Sequence, residues 1–187
     1  MREYREGASM KLSTPSRKIL HAVVVVVLVV EAAGLAWLYL EYSDLSDELR
    51  SSAWSLATKS LRYLEGDVEL LIYLLDENPD IHLMALTARN AAEHASVTAS
   101  ALSTLHDHGG RDLTKTYVLG VAVSNIEVYL NTLANNPDKV TSLKENKELL
   151  EEAASILKEI AMKYRQDPED IPNSLISKLH KISEQLH

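Results

Sequence analysis

The first hydrophobic pattern along the chain is a nearly unbroken apolar run over residues 19–40. At about 1.5 Å per residue, a helix over this run would extend roughly 33 Å, enough to cross a bilayer core of about 30 Å. Trp37 and Tyr39 lie where an interfacial aromatic belt is expected. The run predicts a single transmembrane anchor, with residues 1–18 as an N-terminal tail and residues 41–187 as a separate domain.

A cleaved signal peptide is the alternative interpretation of the same run. Residues 19–30 have the length of a signal-peptide core, and small residues follow them. Residues 35–40 nevertheless remain apolar and lead directly into a helical pattern, which favours an uncleaved anchor. Met1 and Met10 both fit as the start of the chain, because a basic segment precedes the apolar run in either case.

The charges on the two sides of the run differ in sign. Arg17 and Lys18 directly precede it, whereas Glu41 and Asp44 follow it. Lys and Arg resist translocation across a membrane. We therefore expect a single-pass protein of the cell membrane, with its N-terminus in the cytoplasm and its C-terminal domain extracytoplasmic.

Glu31 is an acidic residue near the middle of the predicted span. An ionised carboxylate at that depth costs about 2.5 kcal/mol or more. Gly34 and the alanines around it would let a second helix approach closely. We expect Glu31 and Gly34 to form an intramembrane contact with a partner helix. Protonation of Glu31, or a shallower helix position, would also remove the cost.

After the run, apolar residues recur in steps of three and four, which is typical of helices in a bundle. The stripe of the first such helix, residues 43–77, comprises Trp54, Ala57, Leu61, Leu64, Val68, Leu71 and Leu75, widened by Leu56, Tyr63, Leu70 and Leu74. The second and third helices are predicted over residues 79–107 and 112–135, and the short fifth helix over residues 173–186. The fourth helix lies between the third and the fifth. The pattern predicts an all-α chain: one N-terminal transmembrane helix, then an extracytoplasmic up-and-down four-helix bundle with a short fifth helix.

An Asx-Pro-acid tripeptide occurs at three of the predicted helix boundaries. These are Asn78-Pro79-Asp80, Asn136-Pro137-Asp138 and Asp167-Pro168-Glu169. Asn can cap a helix, and Pro suits the first helical turn, so we expect Asn78 to cap the second helix. Asn173 or Ser174 is the expected cap of the last helix.

Composition excludes several function classes. The chain has no cysteine, which excludes disulfides, thiolate metal sites and a cysteine nucleophile. Its net charge is −8; residues 1–40 hold five cations and three anions (+2), which leaves −10 for residues 41–187. An acidic domain is a poor match for nucleic acid, so none is expected as a partner.

Histidine provides one candidate metal site. His106 and His108 flank Asp107 at the end of the second predicted helix, and Asp112 follows closely. Imidazoles together with a carboxylate are ligands for zinc and similar ions. A solvated helix end accounts for the same residues, because histidine is favourable near a helix C-terminus. We predict no resident cofactor.

No motif of nucleophilic catalysis or phosphate binding occurs in the sequence, which predicts a non-enzymatic protein. The leading hypothesis is an accessory subunit or interaction scaffold of a membrane complex, with a membrane protein or a second copy of the chain as partner. One alternative is a small-ligand sensor or carrier that signals through a partner. The other is a secreted helical domain released by signal-peptide cleavage.

Overall fold

The computed structural model describes residues 14–77, 80–108 and 114–186, with only the backbone described at residues 14–20, 23 and 108. Over these ranges the chain is helical and contains no strand, which confirms the all-α prediction. It divides into two compact units, Met1–Asp44 and Leu45–His187.

The described residues contain five α-helices and one short 3₁₀ helix. They are α1 Thr14–Glu77, α2 Ile81–His108, α3 Thr114–Asn135, α4 Lys139–Lys163, the 3₁₀ helix Pro168–Asp170, and α5 Asn173–Ser183. The predicted bounds of α2 and α3 lie within two residues of these. The 3₁₀ helix was not predicted.

The apolar run lies on α1 in the first unit and is exposed at every position whose side chain the structure describes. Val24 to Val30 leave 48–64% of their surface uncovered, and Leu35 leaves 69%. Among the described residues, α1 is the one helix that is both long enough and apolar enough to cross a membrane, and its apolar part lies close to the N-terminus. Length and composition thus fit a membrane anchor, and a signal sequence has the same properties.

The core of the second unit is built on the predicted stripes. All seven stripe positions of α1 are buried, with Trp54 at 2% exposure and Leu61 at 0%. Helix α3 packs against α2, α4 and α5. At the α2–α3 contact, a Cβ added at Gly120 would lie 3.5 Å from Leu102 Cβ, so the two helices approach closely there.

Some residues expected in the core are exposed. Leu56, Tyr63 and Leu70, which were predicted to widen the α1 stripe, leave 41–52% of their surface uncovered. They lie more than about 100° around the helix from the centre of the stripe, so the neighbouring helices do not cover them. Val128, an apolar residue of α3, is also 65% exposed.

The residues that cap α2 and α5 differ from those predicted. The Asp80 carboxylate accepts hydrogen bonds from the backbone N–H groups of His82 and Leu83, at 2.9 and 3.1 Å, and so caps α2. Asn78 and Pro79, where the cap was predicted, lie outside the described residues. Helix α5 has Pro172 as its N-cap residue, so the prediction of Asn173 or Ser174 was wrong.

Residues 164–172, which we call the α4–α5 connector, are held by α1 and α3. The Trp54 indole donates from Nε1 to the Tyr164 carbonyl at 3.1 Å. Arg50 donates to the Asp167 and Glu169 carboxylates at 2.8 and 3.0 Å. From α3, Lys115 donates to two connector carbonyls. Arg50 and Trp54 precede their connector partners by more than a hundred positions, so a distant part of the chain fixes the connector together with Lys115.

Candidate interaction surface

An apolar row lies on the exposed side of α1 in the second unit. Leu49, Leu56, Tyr63 and Leu70 recur every seven residues, with 45%, 49%, 52% and 41% of their surfaces exposed. Seven residues fall about 20° short of two full helical turns, so the four side chains stay on one face over three heptads. We call these four residues the α1 row. Isolated exposed apolar residues are ordinary, whereas a regular row of them is typical of a contact surface.

Helix α2 contacts one member of the α1 row. His94 joins the two helices, because its Nδ1 lies 2.7 Å from the Asp67 carboxylate and its ring stacks on Tyr63 with 5.2 Å between centroids. Two apolar residues of α2 are also exposed, Val97 at 40% and Leu86 at 55%. Both helices that His94 joins therefore carry exposed apolar side chains.

Asp67 and His94 form a polar contact that sequence reasoning missed. In the sequence His94 directly follows Glu93, but its carboxylate partner, Asp67, comes from another helix. With Nδ1 protonated, the ring donates to Asp67 and its tautomer is fixed, as in many functional histidine–carboxylate pairs. Since Asp67 is on α1 and His94 is on α2, the pair joins the two helices. It is the one side-chain hydrogen bond of His94 in the described part of the chain.

Ion pairs join α1 to α4. Lys158 donates to Glu65 at 2.7 Å and to Glu69 at 3.0 Å. The hydrogen bond from Lys158 holds the pKa of the Glu69 carboxyl below its ordinary value. Hydrogen bonds to Glu65 and Glu69 raise the pKa of Lys158. Further along, Lys147 binds both oxygens of the Asp76 carboxylate at 2.7 Å, which raises the pKa of Lys147.

The Lys158 network predicts a defined pH dependence of stability. A lowered acid pKa contributes stability above the ordinary value of 4.5, and a raised lysine pKa contributes it below 10.5. Lys158→Met should therefore lower the free energy of unfolding most between these values. The deficit should shrink as pH falls through the lowered pKa of Glu69. Urea unfolding of the full chain in detergent at several pH values measures the difference in free energy of unfolding between the variant and wild type.

The matched control for that experiment is Lys181→Met, which removes an exposed cation of α5 that has no ion pair in the described residues. Its difference from wild type should stay small and independent of pH. A Lys158→Met deficit that is equally flat across pH would contradict the proposed network.

Glu31 and Gly34, the predicted intramembrane contact, lie one turn apart on α1. Both are exposed, and no other group lies within 4 Å of a Cβ built at Gly34. Glu31 makes no hydrogen bond or ion pair within the described ranges. The contact with a partner helix stays a prediction.

The predicted metal site falls mostly outside the described part of the chain. His106 is exposed on α2, and its ring lies against Tyr117 of α3 with 5.3 Å between centroids. The His108 side chain and Asp112 lie outside the described residues. Among the residues described, no group of three metal-binding side chains occurs.

The tyrosines of the second unit differ in exposure. Tyr129 is buried, and burial raises its pKa above the ordinary value. Tyr63, Tyr73 and Tyr117 each leave more than half of their surface exposed. Two of these three lie against histidines: Tyr63 stacks on His94, and the ring of Tyr117 is tilted by 44° to that of His106. Periodicity alone could not identify these contacts, because they join different helices.

Comparison with known proteins gives no match: no family model, no curated protein and no solved structure is significantly similar to the chain.

Proposed function

We propose that the chain is a non-enzymatic, single-pass membrane protein that acts as an accessory subunit or interaction scaffold of a membrane complex. In this proposal residues 19–40 are the anchor, and the N-terminus is cytoplasmic. Residues 41–187 form an extracytoplasmic up-and-down four-helix bundle, with α5 as the short fifth helix. The observation that carries the proposal is the exposed α1 row.

The spacing of the α1 row favours a helix as the binding partner. A strict seven-residue apolar repeat matches a second helix that supercoils around the first, with side chains inserting between those of its neighbour. A drug-sized ligand would need a concave pocket, whereas the row is a convex helix face. We propose that the partner is another membrane protein, which presents a helix to the row.

Charge supports the choice of a protein partner over nucleic acid. Residues 41–187 carry a net charge of −10 by the arithmetic above. A surface of that sign repels nucleic acid and anionic membranes. The apolar row offers binding energy that does not depend on charge.

The predicted intramembrane contact is a second, separate part of the proposal. Glu31 lies in an apolar segment with Gly34 one turn away, and both are exposed on α1. A partner helix that bonds the Glu31 carboxyl would remove the cost of placing it in hydrocarbon. In this proposal the same partner contacts the anchor and the row.

The test is to extract the tagged full-length protein from its native membranes in mild detergent and to identify by mass spectrometry what remains bound. We expect one stoichiometric membrane-protein partner. The double variant Leu56→Glu/Leu70→Glu should reduce its recovery at least about tenfold, because a tenfold change needs only about 1.4 kcal/mol and an unpaired carboxylate in an apolar contact costs more than that.

The control places the same charge on another exposed apolar side chain. Val128→Glu on α3, at a position that is 65% exposed, should leave recovery unchanged. Equal recovery with all three proteins would contradict the role of the row. A complex that contains only this chain, at twice its mass, would replace the proposed partner by a second copy. Glu31→Leu tests the anchor separately, and an unchanged complex would refute the intramembrane contact.

A further inference from the structure

A small recess in the second unit is lined by cations and hydroxyl groups. Its volume is about 130 Å³, and its lining residues are Ser55, Thr58, Lys59, Arg62, Ala161 and Arg165. On α1, the four polar residues lie at relative positions 0, 3, 4 and 7, which places them on one helix face. Arg165 reaches the recess from the α4–α5 connector. Three positive charges therefore meet at one small site.

The three cations have no counterion in the part of the chain that the structure describes. Lys59, Arg62 and Arg165 make no ion pair and no side-chain hydrogen bond within the described residues. The nearby carboxylates are bound elsewhere: Glu65 and Glu69 to Lys158, Glu159 to Lys163, and Asp167 and Glu169 to Arg50. Lys144 and Lys181 also lack an ion pair within the described residues, but they do not share a recess with other cations, whereas these three line the same one.

The donors in the recess suit an oxyanion. Arg62 and Arg165 present planar guanidinium groups, which bind phosphate and carboxylate oxygens in pairs. Lys59 adds an ammonium group, and the Ser55 hydroxyl can also donate. The Thr58 hydroxyl already donates to the Trp54 and Ser55 carbonyls, at 3.0 and 3.1 Å, so it supplies no further donor.

Size and charge narrow the ligand to a phosphate group. A volume of 130 Å³ equals only about four water molecules and is well below the roughly 300 Å³ of the smallest typical organic-ligand pockets. A phosphate monoester carries about −1.5 to −2 at neutral pH, which compensates three cations better than one carboxylate does. A carboxylate, Glu65, lines the adjoining recess with Lys59 and Arg62, but Glu65 is paired with Lys158.

We propose that Lys59, Arg62 and Arg165 form a binding site for a phosphate group, either as free phosphate or as a phosphate-monoester headgroup of a lipid. The site shares no lining residue with the α1 row, although Tyr63 of the row lines the adjoining recess with Lys59 and Arg62. It goes beyond the proposed scaffold function and would give the ligand-sensor alternative a defined ligand class.

The first test is calorimetric titration of the full chain, in nanodiscs of phosphatidylcholine, with inorganic phosphate at constant ionic strength. Wild type should bind phosphate saturably at millimolar concentrations, and Arg62→Gln should weaken binding at least about tenfold, the loss expected for a hydrogen bond to a charged group. Lys144→Gln and Lys181→Gln remove exposed cations outside the recess and should bind like wild type. Equal binding by all four proteins would mean nonspecific attraction and would overturn the proposal, as would no saturable binding by wild type.

The second arm separates the two sources of phosphate. In nanodiscs that contain phosphatidic acid, a site that accepts the lipid headgroup should no longer bind added phosphate, whereas a site for free phosphate should bind it unchanged. If Arg62→Gln failed to fold, as judged by its circular dichroism melt, Arg165→Gln would serve in its place, because Arg165 lies outside the helices.

Discussion

Trp54→Ala should lower the free energy of unfolding of the second unit by about 3–5 kcal/mol, the usual cost of truncating a buried tryptophan. Trp54 is 2% exposed in the core, and its indole donates to the Tyr164 carbonyl at 3.1 Å. The substitution therefore opens a cavity beside α1 and also leaves a connector carbonyl without its donor. Natural domains are stable by only about 5–15 kcal/mol, so this loss is a large share of the total.

Urea unfolding of the full chain in detergent, followed by circular dichroism, measures this effect. Trp37→Ala is the matched control, because Trp37 lies in the first unit and is 63% exposed. It should leave the unfolding midpoint of the second unit unchanged. A loss of less than about 1 kcal/mol for Trp54→Ala would contradict the burial of Trp54 in the core, since that is no more than the usual cost of removing one buried methyl group.

Leu102→Ala should cost about 2–5 kcal/mol by the same measurement. Leu102 is fully buried where α2 and α3 approach each other at Gly120. With no side chain on Gly120, little could move into the space that the leucine leaves, and so the cavity should persist. Such cavities make the cost of a leucine truncation larger than the loss of apolar burial alone.

The control for Leu102 is on the same helix. Leu86 is 55% exposed, so Leu86→Ala should change the free energy of unfolding by no more than about 0.5 kcal/mol. If the two variants were equally stable, the close α2–α3 contact would be refuted. A small effect of Leu102→Ala together with a lowered denaturant slope would instead indicate a change in the unfolded state.

The sequence predicted which face of α1 is buried but not where the buried face stops. The stripe from Trp54 to Leu75 repeats in steps of three and four, and this period reports the helix face directly. Leu56, Tyr63 and Leu70 have the same apolar character, yet they are exposed. Whether a flanking residue is covered depends on where the neighbouring helices lie, and a one-dimensional pattern does not contain that information.

Contacts between distant segments were beyond the reach of the sequence for a similar reason. Asp67 and His94 are 27 residues apart, and Glu65 and Lys158 are 93 apart. Many other acid–base pairings were equally compatible with the composition. The cationic recess was missed because its members become neighbours only when the connector reaches α1. By contrast, the all-α class follows from local periodicity alone.

The pairing of α1 with α4 has a consequence for how the protein is made. Glu65 leaves the ribosome 93 residues before Lys158, its partner. At about 5–20 residues per second, that interval lasts roughly 5–20 s. During this time the apolar stripe of α1 and the whole of α2 can be synthesised, while α4, which also pairs with α1, is still incomplete. The side of α1 that pairs with α4 therefore lacks this partner for several seconds, and transiently exposed apolar surface makes an incomplete chain prone to aggregation.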